Sequence, residues 1–332
     1  MQKSGECGTI EETAATRTGG WSVRAIAANR YGDNSVLNVA DVEDPKLGPD
    51  TIIVRTRAAG LNPFDWKVLR GYLDGAFPVH FPLVPCWDVA GVVEAVGPAV
   101  TGFQPGDEVI AYDREDHIQW GTLAEYVSVP VRCAAPKPPE LPWAEAAALP
   151  HSGLTAYQCV HDGLALAPDH TVLVHGASGG VGSFAVQLAG STGARVIGSA
   201  SPSNHDYLRW LDVEPVPYGR RLVDDVLALA PGGVDAVIDL VGGAALDAVP
   251  ALLKEGGQLV GVTDALRLKE LGGRYLFVHP DAAQLTDLGL LAAKGDLSVH
   301  VSAKFAFYDA VAAFDQIESG HTRGKVVVEV DG

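Results

Sequence analysis

Apolar and polar positions alternate in short runs from Trp21 to about Val131, and the runs predict a meander of strands at residues 22–28, 51–59, 89–96, 108–111 and 123–129. Proline and glycine punctuate them, as in LGP at 47–49 and QPGD at 104–107. The pattern changes at Leu141. Pro142 suits a helix start, residues 143–149 are rich in alanine, and residues 153–161 read as the opening of a second helix. From Thr171 onward, apolar strands at 171–175, 195–200, 236–240 and 258–262 alternate with helical stretches at 181–191, 205–211, 221–229 and 246–253. Such alternation marks an α/β fold, a doubly wound parallel sheet of the Rossmann type with helices on both faces. Strands at 275–278 and 297–301, a helix at 308–319 and a last strand at 325–330 follow, and the final two elements are expected to return to the first domain. The predicted organisation is therefore a Rossmann domain at 146–295 inserted in a β-rich domain made of 21–145 and 296–332. Residues 1–20 are polar, small and aperiodic, so they are expected to form a flexible extension that carries no chemistry.

With 332 residues the chain is long enough for two cores, and 47% hydrophobic against 20% charged residues fits a compact protein. The formal net charge of −17 disfavours nucleic acid and anionic membrane surfaces as partners, so an anionic cofactor has to be held by local features. Cys7, Cys86, Cys133 and Cys159 form no CxxC pair, which argues against a disulfide framework or a structural zinc lobe. No basic leader and no apolar run of about 18 residues is present, and a cytoplasmic enzyme is expected.

The strongest local signal is VLVHGASGGVGSFAVQLA at 172–189, a buried strand that runs through a glycine turn directly into an apolar helix. Glycine is needed where backbone must approach a diphosphate, and the amides of a helix start point at the anion. Ser178, Gly179, Gly180 and Val181 are the expected contacts there, with Ser178 adding a hydroxyl. An NAD-selective site would place a carboxylate on the ribose roughly 20 residues further on. Here the chain reads SASPSNH at 199–205 instead, and no acid comes before Asp206. Ser201, His205 and Tyr218, with Arg209 and Arg220 nearby, are suited to a 2′-phosphate, so NADPH is the expected cofactor.

The segments GLNPFD (60–65), PCWDVAGVVEAVG (85–97), PGDEV (105–109), GTLAEY (121–126), AAALP (146–150), GLTAY (153–157), GGQLV (256–260) and SGHTRGKVV (319–327) resemble, in order and spacing, the medium-chain dehydrogenase/reductase superfamily. Together with the glycine loop the likeness covers nearly everything from Trp21 onward. It implies that the β-rich domain is GroES-like and catalytic. The zinc members hold their metal with ligands at places that correspond to Asn62, Trp87 and a site near His151. Asn62 and Trp87 are not plausible zinc ligands, so no metal is expected. The implied branch is the zinc-independent quinone oxidoreductases and enoyl reductases.

A nicotinamide delivers hydride without a Lewis acid when the acceptor is already polarised, as in a quinone or an α,β-unsaturated ketone, aldehyde or thioester. The resemblance implies that Asn62 hydrogen-bonds the nicotinamide ribose or the substrate carbonyl, that Asp65 braces its loop, and that Thr155 contacts the nicotinamide end. It also implies that Lys325 reaches the pyrophosphate and that Val241 lies along the cofactor. Tyr72 stands where some enoyl reductases carry a proton-donating tyrosine, and Lys67 is a second donor candidate. Trp66, Trp87, Phe77, Phe81 and Trp120 are expected to wall the substrate cleft. His80, His117 and His151 are expected to be structural, while His175 is placed beside the loop. A homodimer is expected through an edge strand at 275–278, Tyr275 to Val278. The competing readings are a zinc-type alcohol dehydrogenase and a non-catalytic NADPH-binding module. A short-chain dehydrogenase is opposed because no tyrosine has a lysine four residues later.

Overall fold

In the computed structural model, residues 23–330 are described. The extension predicted at 1–20, Cys7 and the first residue of the strand predicted at 22–28 lie outside that range.

Two large sheets organise the chain. One has six parallel strands in the order Glu214–Pro217, Arg195–Ala200, Thr171–His175, Val234–Asp239, Leu253–Gly261 and Arg274–Tyr275. Its central strands TVLVH and VDAVID are almost wholly buried, as a sheet covered on both faces requires. The helices Gly180–Ser191, His205–Trp210, Leu222–Leu229 and Val249–Leu252 carry the chain between successive parallel strands. This is the doubly wound α/β arrangement.

The second sheet runs in the order Val301–Ala306, Lys325–Glu329, Thr51–Leu61, Asp88–Val96, Glu108–Tyr112 and Ala134–Pro136, with Tyr126–Pro130 also paired to Thr51–Leu61. The C-terminal strand thus joins the sheet begun by the N-terminal part of the chain, and the parallel sheet is formed by the segment between. Register in this second sheet matters for the chemistry. Val326 lies opposite Leu61, Gly60 opposite Asp88, and Asp88 opposite Tyr112, so Lys325, Asn62, Asp88 and Tyr112 come to one end of the sheet. The helix Trp143–Ala148 crosses that end so closely that a Cβ on Gly60 would stand 2.3 Å from the Ala147 carbonyl oxygen.

Several predicted elements differ in extent. The second helix starts earlier, as Pro150–Tyr157, and widens into a π-type turn at Gln158–Asp162. The strand predicted at 297–301 is Val301–Ala306, and the strand predicted at 275–278 shortens to Arg274–Tyr275 because only its first residue pairs with the sheet. The helix Pro63–Leu69 and the strands Asn38–Val42, Val79–Val84 and Ile118–Trp120 are additional to the sequence reading.

Candidate active site

A cleft of about 850 Å³ lies between the two sheets. One wall is the glycine turn after the strand Thr171–His175. The helix Gly180–Ser191 makes its first internal bond from the Ser183 amide to the Gly179 carbonyl at 2.9 Å, which leaves the amides of Gly180, Val181 and Gly182 without helical partners. All three residues line the cleft. A Cβ on Gly182 would stand 2.1 Å from the Gly176 carbonyl oxygen, so the turn closes this tightly only with glycine there. The result is a bare cradle of amide donors, suited to a diphosphate.

Past the turn, Ser178 Oγ accepts from Asn204 Nδ2 at 3.0 Å, and the same amide reaches Ser201 Oγ at 3.1 Å. Asn204 Oδ1 accepts from Arg323 Nε at 2.8 Å, and the guanidinium also bonds the Ser203 carbonyl at 3.1 Å and lies over the Tyr207 ring. A cation is thereby brought to the end of the strand Arg195–Ala200, where the sequence offers hydroxyls and no carboxylate. His205 stands beside it with Nε2 3.4 Å from the Ala200 carbonyl. Arg209 is paired with Asp206 at 2.6 Å on the surface, and Tyr218 is exposed. Val241 is exposed and abuts the turn beside Gly176.

The other wall is built on a buried charge network. Lys325 Nζ donates to Asn62 Oδ1 at 2.6 Å, Ser152 Oγ at 3.2 Å and Asp88 Oδ2 at 3.3 Å. Asn62 Nδ2 donates to Asp88 Oδ2 at 2.9 Å, and the His151 amide donates to Asp88 Oδ1 at 2.8 Å. Lys325 was expected to reach a pyrophosphate. Its ammonium is instead committed to this network, and its stem packs under the glycine turn beside Gly180. Asp65 does not line the cleft; its Oδ2 accepts from the Asn62 amide at 2.7 Å, and burial pushes its carboxyl up to about 7. Thr155 lines the cleft with its hydroxyl turned back to the His151 carbonyl at 2.6 Å.

Tyr72 requires a correction. The chain turns away after the helix Pro63–Leu69 through Gly71 at φ +75, and Tyr72 ends 68% exposed, edge-on to Trp66 and off the cleft wall. Lys67 does line the cleft. Of the expected aromatics, Phe77 and Trp87 form the wall, while Phe81 packs on Tyr31 and Trp120 is exposed. Phe64 and Phe277 complete it: Phe64 stacks on Trp87 at 4.5 Å and Phe77 on Phe277 at 5.7 Å. His175 is buried in the parallel sheet with Nδ1 3.1 Å from Ser199 Oγ, away from the cleft.

This geometry can be set beside known proteins. Family models match for an alcohol dehydrogenase GroES-like domain over residues 48–139 and for a zinc-binding dehydrogenase over residues 214–328. A chloroplast envelope quinone oxidoreductase homolog of Arabidopsis thaliana is 30% identical, covering 92% of this chain and 98% of that protein. The chain belongs to the medium-chain dehydrogenase/reductase superfamily. Within the superfamily its relatives lie in the quinone oxidoreductase and enoyl reductase branch. They include an NADPH-dependent alkenal/one oxidoreductase of the Arabidopsis thaliana chloroplast, 32% identical over 92% of this chain and 79% of that protein. The structure of the quinone oxidoreductase from Coxiella burnetii superposes with a TM-score of 0.84 at 31% identity, covering 94% of this chain and all of that one.

Against the medium-chain pattern, the places of two zinc ligands hold Asn62, whose amide is tied to Lys325 and Asp88, and Trp87, whose indole is stacked on Phe64. Among the described residues no group of three His, Cys, Asp or Glu side chains is arranged to hold a metal ion. Arg323, Asn204, Ser152, Phe64 and Tyr112 are the residues that sequence reasoning missed. Arg323, Asn204 and Phe64 carried a signal, inside the quoted SGHTRGKVV, SASPSNH and GLNPFD segments.

Proposed function

We propose that this oxidoreductase is an NADPH-dependent reductase of quinones or of α,β-unsaturated ketones, aldehydes or thioesters, working without a metal. When bound, NADPH supplies the hydride. The free amides of Gly180, Val181 and Gly182 would hold its diphosphate, and Ser178, Ser201, Asn204 and Arg323 would hold the 2′-phosphate, with His205 alongside. Thr155 and Asn62 would orient the nicotinamide end. The stacked pairs Phe64–Trp87 and Phe77–Phe277 exclude water and suit a flat conjugated acceptor.

The observation that carries this reading is the chemistry of the wall itself, an amide locked in a buried ion network beside a stacked indole, where a Lewis-acid site would require free donors. The test follows NADPH oxidation in the presence of a chelator, with a panel of quinones, 2-enones, 2-enals and enoyl thioesters. Conjugated acceptors should turn over. Oxidation of saturated alcohols that is lost to chelation and restored by zinc would refute the proposal.

The same reading extends to the surroundings. No helix among the described residues is long and apolar enough to cross a membrane. Tyr275 and Phe277 are exposed at the open edge of the six-stranded sheet while Leu276 and Val278 point inward. Pairing of this edge with its copy would form a homodimer; a monomer by light scattering at micromolar concentration would refute it.

A further inference from the structure

The proposed reaction leaves His151, on the cleft wall, without a task. His151 sits in the first turn of the helix Pro150–Tyr157, its backbone pinned at both ends by the bonds from its amide to Asp88 and from Thr155 Oγ1 to its carbonyl. Its ring packs edge-on to Tyr112, with centroids 5.2 Å apart, and forms part of the cleft wall with Asn62 and Trp87. Nδ1 is enclosed by protein with no hydrogen-bond partner, whereas Nε2 is not so enclosed.

The charge state follows from the surroundings. Burial dominates and pushes the imidazole down to about 4; Asp88 opposes this and Lys325 adds to it. The ring is therefore neutral near pH 7 and carries a single N–H. An orphaned donor is tolerated less well in a protein interior than an orphaned acceptor. The proton thus belongs on Nε2, facing the cleft, with the bare nitrogen enclosed.

Lys325, Asn62 and Ser152 beside His151 are bonded to one another and to Asp88, the Tyr112 hydroxyl is enclosed without a partner, and Lys67 is a further donor on the cleft wall. We propose that His151 Nε2–H donates a hydrogen bond to the carbonyl oxygen of the substrate and stabilises the enolate that forms there. This rests on the reading of the cleft as that of a conjugated-carbonyl reductase. As the β-carbon accepts a hydride, the π-electron pair of the C=C bond shifts to the α-carbon–carbonyl unit, and negative charge collects on oxygen. The α-carbon then takes a proton from solvent, and His151 keeps its own. A fixed neutral donor binds the charged oxygen more strongly than the ground-state carbonyl, so its contribution is made in the transition state.

The test compares wild type with His151→Leu and His151→Gln. With a 2-enone substrate, His151→Leu should lower kcat by about 100-fold, the size usual for one oxyanion donor, while NADPH affinity and KM change little. His151→Gln places an amide N–H near the position of Nε2 and should recover about tenfold of that loss. As a readout independent of turnover, the infrared carbonyl stretch of bound cyclohexanone should move to lower frequency in wild type and His151→Gln, and lie near its unbound position in His151→Leu. A His151→Leu enzyme within about twofold of wild type, or a glutamine variant as poor as the leucine one, would overturn the proposal. So would an unshifted stretch in wild type, a measurement that decides the matter even if the leucine variant fails to fold. A wild type inert towards every conjugated carbonyl would sink the functional reading, while the infrared shift would still report on His151.

Discussion

Replacing Lys325 by methionine tests whether the wall of the cleft depends on a buried ion pair. The Lys325 side chain is 3% exposed and that of Asp88 is fully buried, so solvent screens little of their interaction. At 3.3 Å their attraction is about 5 kcal/mol for an effective dielectric of about 20. The desolvation cost of Asp88 remains after the substitution, with only the His151 amide and Asn62 Nδ2 left to solvate it. Removing one partner of a buried pair typically costs about 3–5 kcal/mol, and Lys325→Met should lose about 4 kcal/mol. That is a large share of the roughly 5–15 kcal/mol that holds a domain folded. Asp88→Asn should cost somewhat less, because Asn62 Oδ1 and Ser152 Oγ still face the ammonium. The double variant carries no charge there, and its loss should fall short of the summed single losses by about 2–3 kcal/mol. Urea unfolding of the four proteins at one pH gives the cycle. Single losses below about 1 kcal/mol that simply add would show that the pair is energetically inert.

Other expectations follow from the same geometry. Gly182→Ala, whose methyl would press into the Gly176 carbonyl at 2.1 Å, should weaken NADPH binding by more than about 100-fold while the circular dichroism spectrum stays near that of wild type; near-normal affinity in a fluorescence titration would refute the cradle. Arg323→Gln should weaken NADPH by about 10- to 100-fold, the worth of a charge-assisted hydrogen bond, and leave NADH unchanged; equal losses for both would remove Arg323 from the 2′-phosphate site. Asp65 has its carboxyl raised from 3.8 to about 7, so its protonated form favours the folded state, and its contribution is complete below about pH 4 and lost as pH rises to about 7. Wild type should therefore lose stability relative to Asp65→Asn across that window, by about 1 kcal/mol per pH unit at its steepest; parallel stability curves would contradict it.

The glycine turn was legible in the sequence because its chemistry is local. Strand, turn and helix are contiguous, and the contact that demands Gly182 is with Gly176, six positions back in the chain. The doubly wound sheet was legible for a similar reason, since buried parallel strands such as VDAVID announce themselves by apolar runs. The helix Pro63–Leu69 was not, because seven residues show too little of the helical period, and the position of Tyr72 then hung on one left-handed residue, Gly71. The cation at the adenosine end was hidden by distance, as Arg323 meets Asn204 across 119 positions of sequence.

Lys325 shows most clearly what separates the two kinds of residue. In sequence it is an ordinary lysine ahead of the run VVVE. What buries it is strand register: with Val326 opposite Leu61, Lys325 falls beside Asn62, and with Gly60 opposite Asp88 the carboxylate that neutralises it arrives from a third strand. A slip of one residue in the first of these pairings would turn the lysine to the other face and leave Asp88 buried without its cation. The apolar side chains around it therefore select the register, and the ion pair penalises the alternatives. The cost of burying a charge, which sequence reasoning rightly counts against a core lysine, here fixes the alignment of the strands that carry Asn62 and His151's anchor Asp88 to the cleft.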